Sequence, residues 1–101
     1  MQVISPDVPL VLWIAYSENN IPITGLTDLT ITIYDEANNI ILATTPLVEN
    51  ISMAGFYSYS ANISNIAQLT NLFVYYKKGN DVINLEKYYV DIESDNIGKA
   101  F

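Results

Sequence analysis

From Leu29 to Tyr34 the chain reads Leu-Thr-Ile-Thr-Ile-Tyr, and this period of two constrains the fold more than any other feature. Successive side chains of a strand point to opposite faces. Leu29, Ile31 and Ile33 therefore share one side, and Thr30, Thr32 and Tyr34 the other. Alternation in β-branched residues marks a half-buried strand. Asp35-Glu36-Ala37-Asn38-Asn39 follows, rich in turn formers, and an apolar run resumes over 40–44, so 29–44 reads as a β-hairpin. Residues 56–61 alternate again behind Gly55, with Tyr57, Tyr59 and Ala61 on one face. The runs 71–77 and 82–92 flank Lys78-Gly79-Asn80-Asp81, a second hairpin with Gly and Asn available for positive φ. The first strand runs from Leu10 to Tyr16, with Pro9 at its start, where a missing N–H costs least.

Only residues 62–69 offer a helical spacing, through Ile63, Ile66 and Ala67. A helix of that length is marginal alone, so the stretch reads as a single helical turn or an irregular crossover. Six or seven short strands, with turn signals about every 8–12 residues, predict an antiparallel β-sandwich. The 101 residues are enough for one such domain, spanning 1–101, with short arms at 1–7 and 94–101.

Composition narrows the function. The chain has no Cys, His or Arg. Without imidazole there is no Ser-His-Asp or Cys-His nucleophile system. A Cys/His zinc site and a disulfide framework are excluded, as is a bidentate guanidinium clamp. The expectation is a protein that is not an enzyme and carries no cofactor or metal. Four Lys stand against eleven Asp plus Glu, a formal net charge of -7. A phosphate backbone is bound by neutralising cations, so neither nucleic acid nor an anionic membrane surface is an expected partner. The longest apolar stretch, Val8 to Tyr16, is less than half of the about twenty residues a membrane helix needs. The N-terminus has no basic region preceding an apolar one, so it is not expected to act as a secretion signal.

Several constellations invite a chemical reading. Asp35, Glu36, Asn38 and Asn39 offer oxygen to a hard cation, but lack the spacing of a calcium-binding EF-hand loop and read as a polar turn. Trp13 and the pairs Tyr75/Tyr76 and Tyr88/Tyr89 suit sugar stacking. Adjacent tyrosines on a strand point oppositely, so one of each pair should face the core, with the outer members placed to pair across strands. Lys77 and Lys78 beside these tyrosines make a charged hairpin end, not a groove for single strands. At the two ends, Val3, Ile4, Ile97 and Phe101 are apolar residues on polar, irregular segments. They either pack on the parent domain or dock on a neighbour, Phe101 as an aromatic anchor and Val3-Ile4 as an added strand.

The most distinctive order is Ile21-Pro22-Ile23-Thr24-Gly25-Leu26-Thr27-Asp28, the alternating strand ending Tyr34-Asp35, then Glu49, then Gly55-Phe56-Tyr57-Ser58-Tyr59. This pattern, across roughly residues 8–60, resembles small immunoglobulin-like β-sandwich modules of tailed-phage virion proteins. The resemblance implies an all-β, immunoglobulin-like antiparallel β-sandwich of about seven strands. It implies a structural protein of the virion, assembled in the host cytoplasm, of the capsid-decoration or auxiliary-head type. Its partners would be the major capsid protein, other virion proteins or further copies of itself. The alternative is a carbohydrate- or receptor-binding module of a tail appendage or bacterial surface protein. The matching residues are turn and core residues: Pro22 pre-sets φ, and Gly25 and Gly55 supply positions of positive φ.

Overall fold

The computed structural model describes residues 2–5, 7–63 and 70–90, and the fold is all-β. Its strands are β1 (Gln2–Ile4), β2 (Leu10–Ala15), β3 (Ser17–Glu18), β4 (Ile21–Pro22) and β5 (Leu29–Asp35), then β6 (Ile40–Pro46), β7 (Val48–Glu49), β8 (Phe56–Ala61), β9 (Thr70–Lys78) and β10 (Asp81–Val90). They form a five-stranded sheet in the order β1-β10-β9-β5-β6, a three-stranded sheet β2-β8-β7 and a small β3-β4 ribbon.

Both expected hairpins are present. β5 pairs antiparallel with β6 and β9 with β10. Asn38 closes the first turn at φ 65° and Gly79 the second at φ 60°. The expected all-antiparallel pattern is corrected at one edge. β1 lies parallel to β10, with Val3 opposite Tyr89 and Ile4 opposite Val90. Parallel neighbours need a long connection, and here nearly the whole domain separates the two strands. Three short strands were also missed. The β3-β4 ribbon turns on Asn19 and Asn20, at φ 53° and 64°, the pair of left-handed residues that a tight two-residue hairpin requires. β7 adds only Val48 and Glu49 to the edge of β8. Of the stretch expected to be a helical turn or crossover, 64–69 lies outside the described residues. So do 91–92 of the last expected strand and the C-terminal arm 94–101.

The inward faces of the two larger sheets share one core. Leu29, Ile31, Ile33, Leu72, Val74 and Tyr76 come from the large sheet, and Leu10, Leu12, Tyr57 and Ala61 from the small one. These are the alternate positions expected of half-buried strands. The outward face of the large sheet is partly covered by its own side chains. Thr32 is buried there, its Oγ1 2.8 Å from Thr44 Oγ1. Tyr75 and Tyr34 meet edge to face with centroids 5.5 Å apart, and Lys87 Nζ lies 5.8 Å over Phe73.

Candidate functional site

The residues of the distinctive pattern converge on one corner of the molecule. The Glu49 carboxylate accepts the Gly25 N–H at 2.9 Å and the Gly55 N–H at 3.0 Å. The buried Tyr57 hydroxyl donates to the Ile23 carbonyl at 2.8 Å and accepts the Leu26 N–H at 3.2 Å. Gly25 and Gly55 have φ of 73° and 76°. A Cβ at Gly55 would stand 2.8 Å from Pro22 Cβ and 2.9 Å from the Tyr16 carbonyl oxygen. Each conspicuous residue is thus occupied in tying loop 23–28 to the strand pair β7-β8. The two N–H donors, first Gly25 and then Gly55, hold the Glu49 carboxyl below its ordinary value of 4.5.

The acidic hairpin turn is occupied in the same way. Asp35 accepts the N–H groups of Ala37 and Asn39 and the Asn39 side-chain amide. These bonds, led by the Asn39 amide, lower its pKa. Glu36 reaches across to Thr70 and Asn71. Among the described residues no three Asp or Glu side chains converge to hold a metal. Lys78 lies 3.4 Å from Asp28, which raises its pKa, chiefly through that hydrogen bond.

The outward face of the small sheet is different. β2 contributes Val11, Trp13 and Ala15 to it, β8 contributes Phe56, Ser58 and Ser60, and β7 contributes Val48; the register places Trp13 and Val48 on either side of Ser58. None of these residues is charged. Val11, Trp13 and Val48 are 60, 54 and 66% exposed. Trp13 stacks on Phe56 with centroids 5.0 Å apart and planes 18° from parallel. Ile51 and Met53, in the loop from β7 to β8, are exposed beside it in sequence. Three strands at sheet spacing make a face of roughly 15 by 20 Å. An uncharged face of that size, apolar apart from Ser58 and Ser60, matches the largest patch on an ordinary monomer, which is often functional, and depletion of charge with enrichment in aromatic residues is the composition of interface centres.

A groove of about 560 Å³ runs beside the same β2 strand, bounded on the far side by Asn84, Glu86 and Tyr88 of β10. Glu86 Oε1 accepts hydrogen bonds from the Tyr76 hydroxyl at 2.5 Å and the Tyr88 hydroxyl at 3.1 Å. Burial, reinforced by the Glu86 charge, raises both tyrosines, Tyr88 to about 12 and Tyr76 beyond that.

The residues expected to bind partners fall in two places. Val3 and Ile4 form the edge strand on the chain's own β10, Val3 exposed and Ile4 packed on the core. Ile97 and Phe101 lie outside the described residues. In the tyrosine pairs, Tyr76 and Tyr88 are buried, while Tyr75 and Tyr89 face outward. The outer members do not meet: Tyr75 stands opposite Leu85 and Tyr89 opposite Asn71. The site that sequence reading missed is the Trp13 face. Trp13 stood out as an aromatic, but no signal in the sequence grouped it with Val48 and Phe56. Among the described residues no helix is long and apolar enough to cross a membrane. Compared with protein-family models, curated proteins and solved structures, the chain matches none.

Proposed function

We propose that this chain is a non-enzymatic structural protein of a bacteriophage virion. In this reading it is an immunoglobulin-like β-sandwich, of the capsid-decoration or auxiliary-head kind, that binds the major capsid protein or other virion subunits. The observation that carries the docking role is the uncharged Trp13 face on a chain of net charge -7. Such a face favours the assembled state by mass action once buried, while the acidic remainder keeps the free protein soluble. The virion assignment is supported by the resemblance of residues 8–60 to phage modules. Mass spectrometry of purified particles tests it. Hundreds of copies per particle are expected for decoration and a handful for a connector or tail position; absence from particles ends the reading. A Trp13→Ser variant should fold and yet be incorporated at least tenfold less.

A second reading is favoured by one observation, the exposed Trp13-Phe56 pair, since aromatic rings are the stacking surface of sugar sites. The pair has one geometric feature against it. Rings stacked at 5.0 Å cover one face of each other, whereas a sugar platform lies flat with an open face. Titration of the protein with a panel of mono- and oligosaccharides, followed by Trp13 fluorescence, separates the two readings. Saturable binding would favour the carbohydrate-binding module of a tail appendage or bacterial surface protein.

A further inference from the structure

Among the described residues the outer edge of β2 is unpaired, because β2 is the end strand of the small sheet. The pairing decides which of its backbone groups are free. The Tyr16 N–H bonds the Gly55 carbonyl at 2.8 Å, continuing the ladder in which Leu10, Leu12 and Ile14 face Ala61, Tyr59 and Tyr57. Hydrogen-bonded pairs alternate along an antiparallel ladder, so the N–H and C=O groups of Val11, Trp13 and Ala15 point away from β8. The Trp13 backbone meets the Tyr76 hydroxyl. Val11 and Ala15 on either side of it open onto the groove. Edge strands are ordinarily guarded by Lys, Pro within the strand or a bulge. β2 reads Leu-Val-Leu-Trp-Ile-Ala, with none of these.

The groove floor says what fits. The large sheet extends beyond β2, since Asn84 is exposed and Glu86 half-buried although they share the inward face with buried Tyr88 and Val90. A second copy cannot lay its own β2 against this edge, because its large sheet would need the space that β10 occupies. A single extended segment has no such second layer and, paired to β2, would lie in the groove. Its inward side chains would stand over Asn84 and Glu86. Among the described residues no Lys lies within ion-pair distance of Glu86, and its second carboxylate oxygen receives no hydrogen bond. Its outward side chains extend the apolar Val11–Trp13 face.

We infer that the free edge of β2 accepts an extended strand from a partner protein, added to the small sheet as a fourth strand, with a Lys or Arg of that strand paired to Glu86. This is strand addition to an open sheet edge: main-chain bonds supply affinity and alternate side chains supply specificity. The inference goes beyond the virion reading and does not rest on it. Absence from particles would end that reading and leave the edge as it is.

The test uses a synthetic peptide, acetyl-Val-Thr-Val-Lys-Val-Thr-Val-amide, with two counterparts. One has glutamate in place of lysine, and one is N-methylated at alternate backbone nitrogens. Binding is followed by amide hydrogen exchange of the full chain and by Trp13 fluorescence. The lysine peptide should slow exchange at Val11 and Ala15 at least tenfold, and both counterparts should bind at least tenfold more weakly. Glu86→Gln, which keeps a carbonyl oxygen for the two tyrosine hydroxyls, should abolish the preference for lysine over glutamate. Val11→Pro should abolish binding without loss of fold, since that N–H takes no part in the β2-β8 ladder. Four results would overturn the inference: Val11 and Ala15 already protected in the chain alone, no binding of the lysine peptide at millimolar concentration, equal binding of the N-methylated peptide, or a lysine preference that survives Glu86→Gln.

Discussion

Replacing Tyr57 by Phe removes one oxygen from a side chain that is fully buried, and the structure sets the size of the effect. The hydroxyl makes two hydrogen bonds to the backbone of loop 23–26, one donated to the Ile23 carbonyl and one accepted from the Leu26 N–H. Each is worth about 1 kcal/mol net, and a partner left buried without water adds to that. The Phe ring fills the same space, so no cavity forms. The expected loss is about 2–3 kcal/mol. In a domain of this size that corresponds to a fall in Tm of roughly 10–20 °C. Thermal and urea unfolding measure it, with the urea slope unchanged because the surface exposed on unfolding is the same. Glu49 ties the same loop through Gly25. The double variant Tyr57→Phe/Glu49→Gln should therefore lose less than the sum of the two single variants. A Tm shift below about 2 °C for Tyr57→Phe, or strict additivity in the double variant, would refute the view that these two side chains hold the loop as a unit.

Gly55 and Gly25 share a left-handed backbone but not their surroundings. Gly25→Ala should cost about 1–2 kcal/mol for the backbone alone, whereas Gly55→Ala, which forces Pro22 and the Tyr16 carbonyl to move, should cost measurably more by urea unfolding. The raised pKa values of Tyr76 and Tyr88 contribute stability that is fully present below the unfolded value of 10.0 and is lost as pH rises through their folded values. Ultraviolet titration should therefore show late-ionising tyrosines, with the domain losing stability above pH 10; Tyr88→Phe should reduce that alkaline loss. The depressed pKa of Glu49 works in the opposite direction. Its contribution is present above 4.5 and disappears as pH falls through the lower folded value, so Glu49→Gln should flatten the acid limb of Tm against pH.

Much of the fold was legible because a strand's period of two is a local property. The alternation at Leu29, Ile31 and Ile33, and at Tyr57 and Ala61, marked core faces that the structure buries. The turn residues around Asn38 and Gly79 located the hairpins. The Asn19-Asn20 turn was equally local and was passed over because the strands it joins have only two residues each. The roles of Glu49 and Tyr57 were not legible. Their partners lie more than twenty residues away in the chain, and nothing in their own neighbourhoods names them.

By itself, the sequence determined that the chain is all-β, which residues share a face in the longer strands, and that Cys, His and Arg chemistry is closed to it. Tertiary structure decided which faces and edges stay open. Thr32 and Trp13 both sit at outward positions of their strands, yet Thr32 is buried and Trp13 half exposed. Glu86 faces inward and still meets solvent, because among the described residues five strands lie opposite three. The reason is that alternation sorts side chains between the two sides of one strand. Whether a side is covered depends on the number and placement of strands in the other sheet, and that is settled only when distant segments pack.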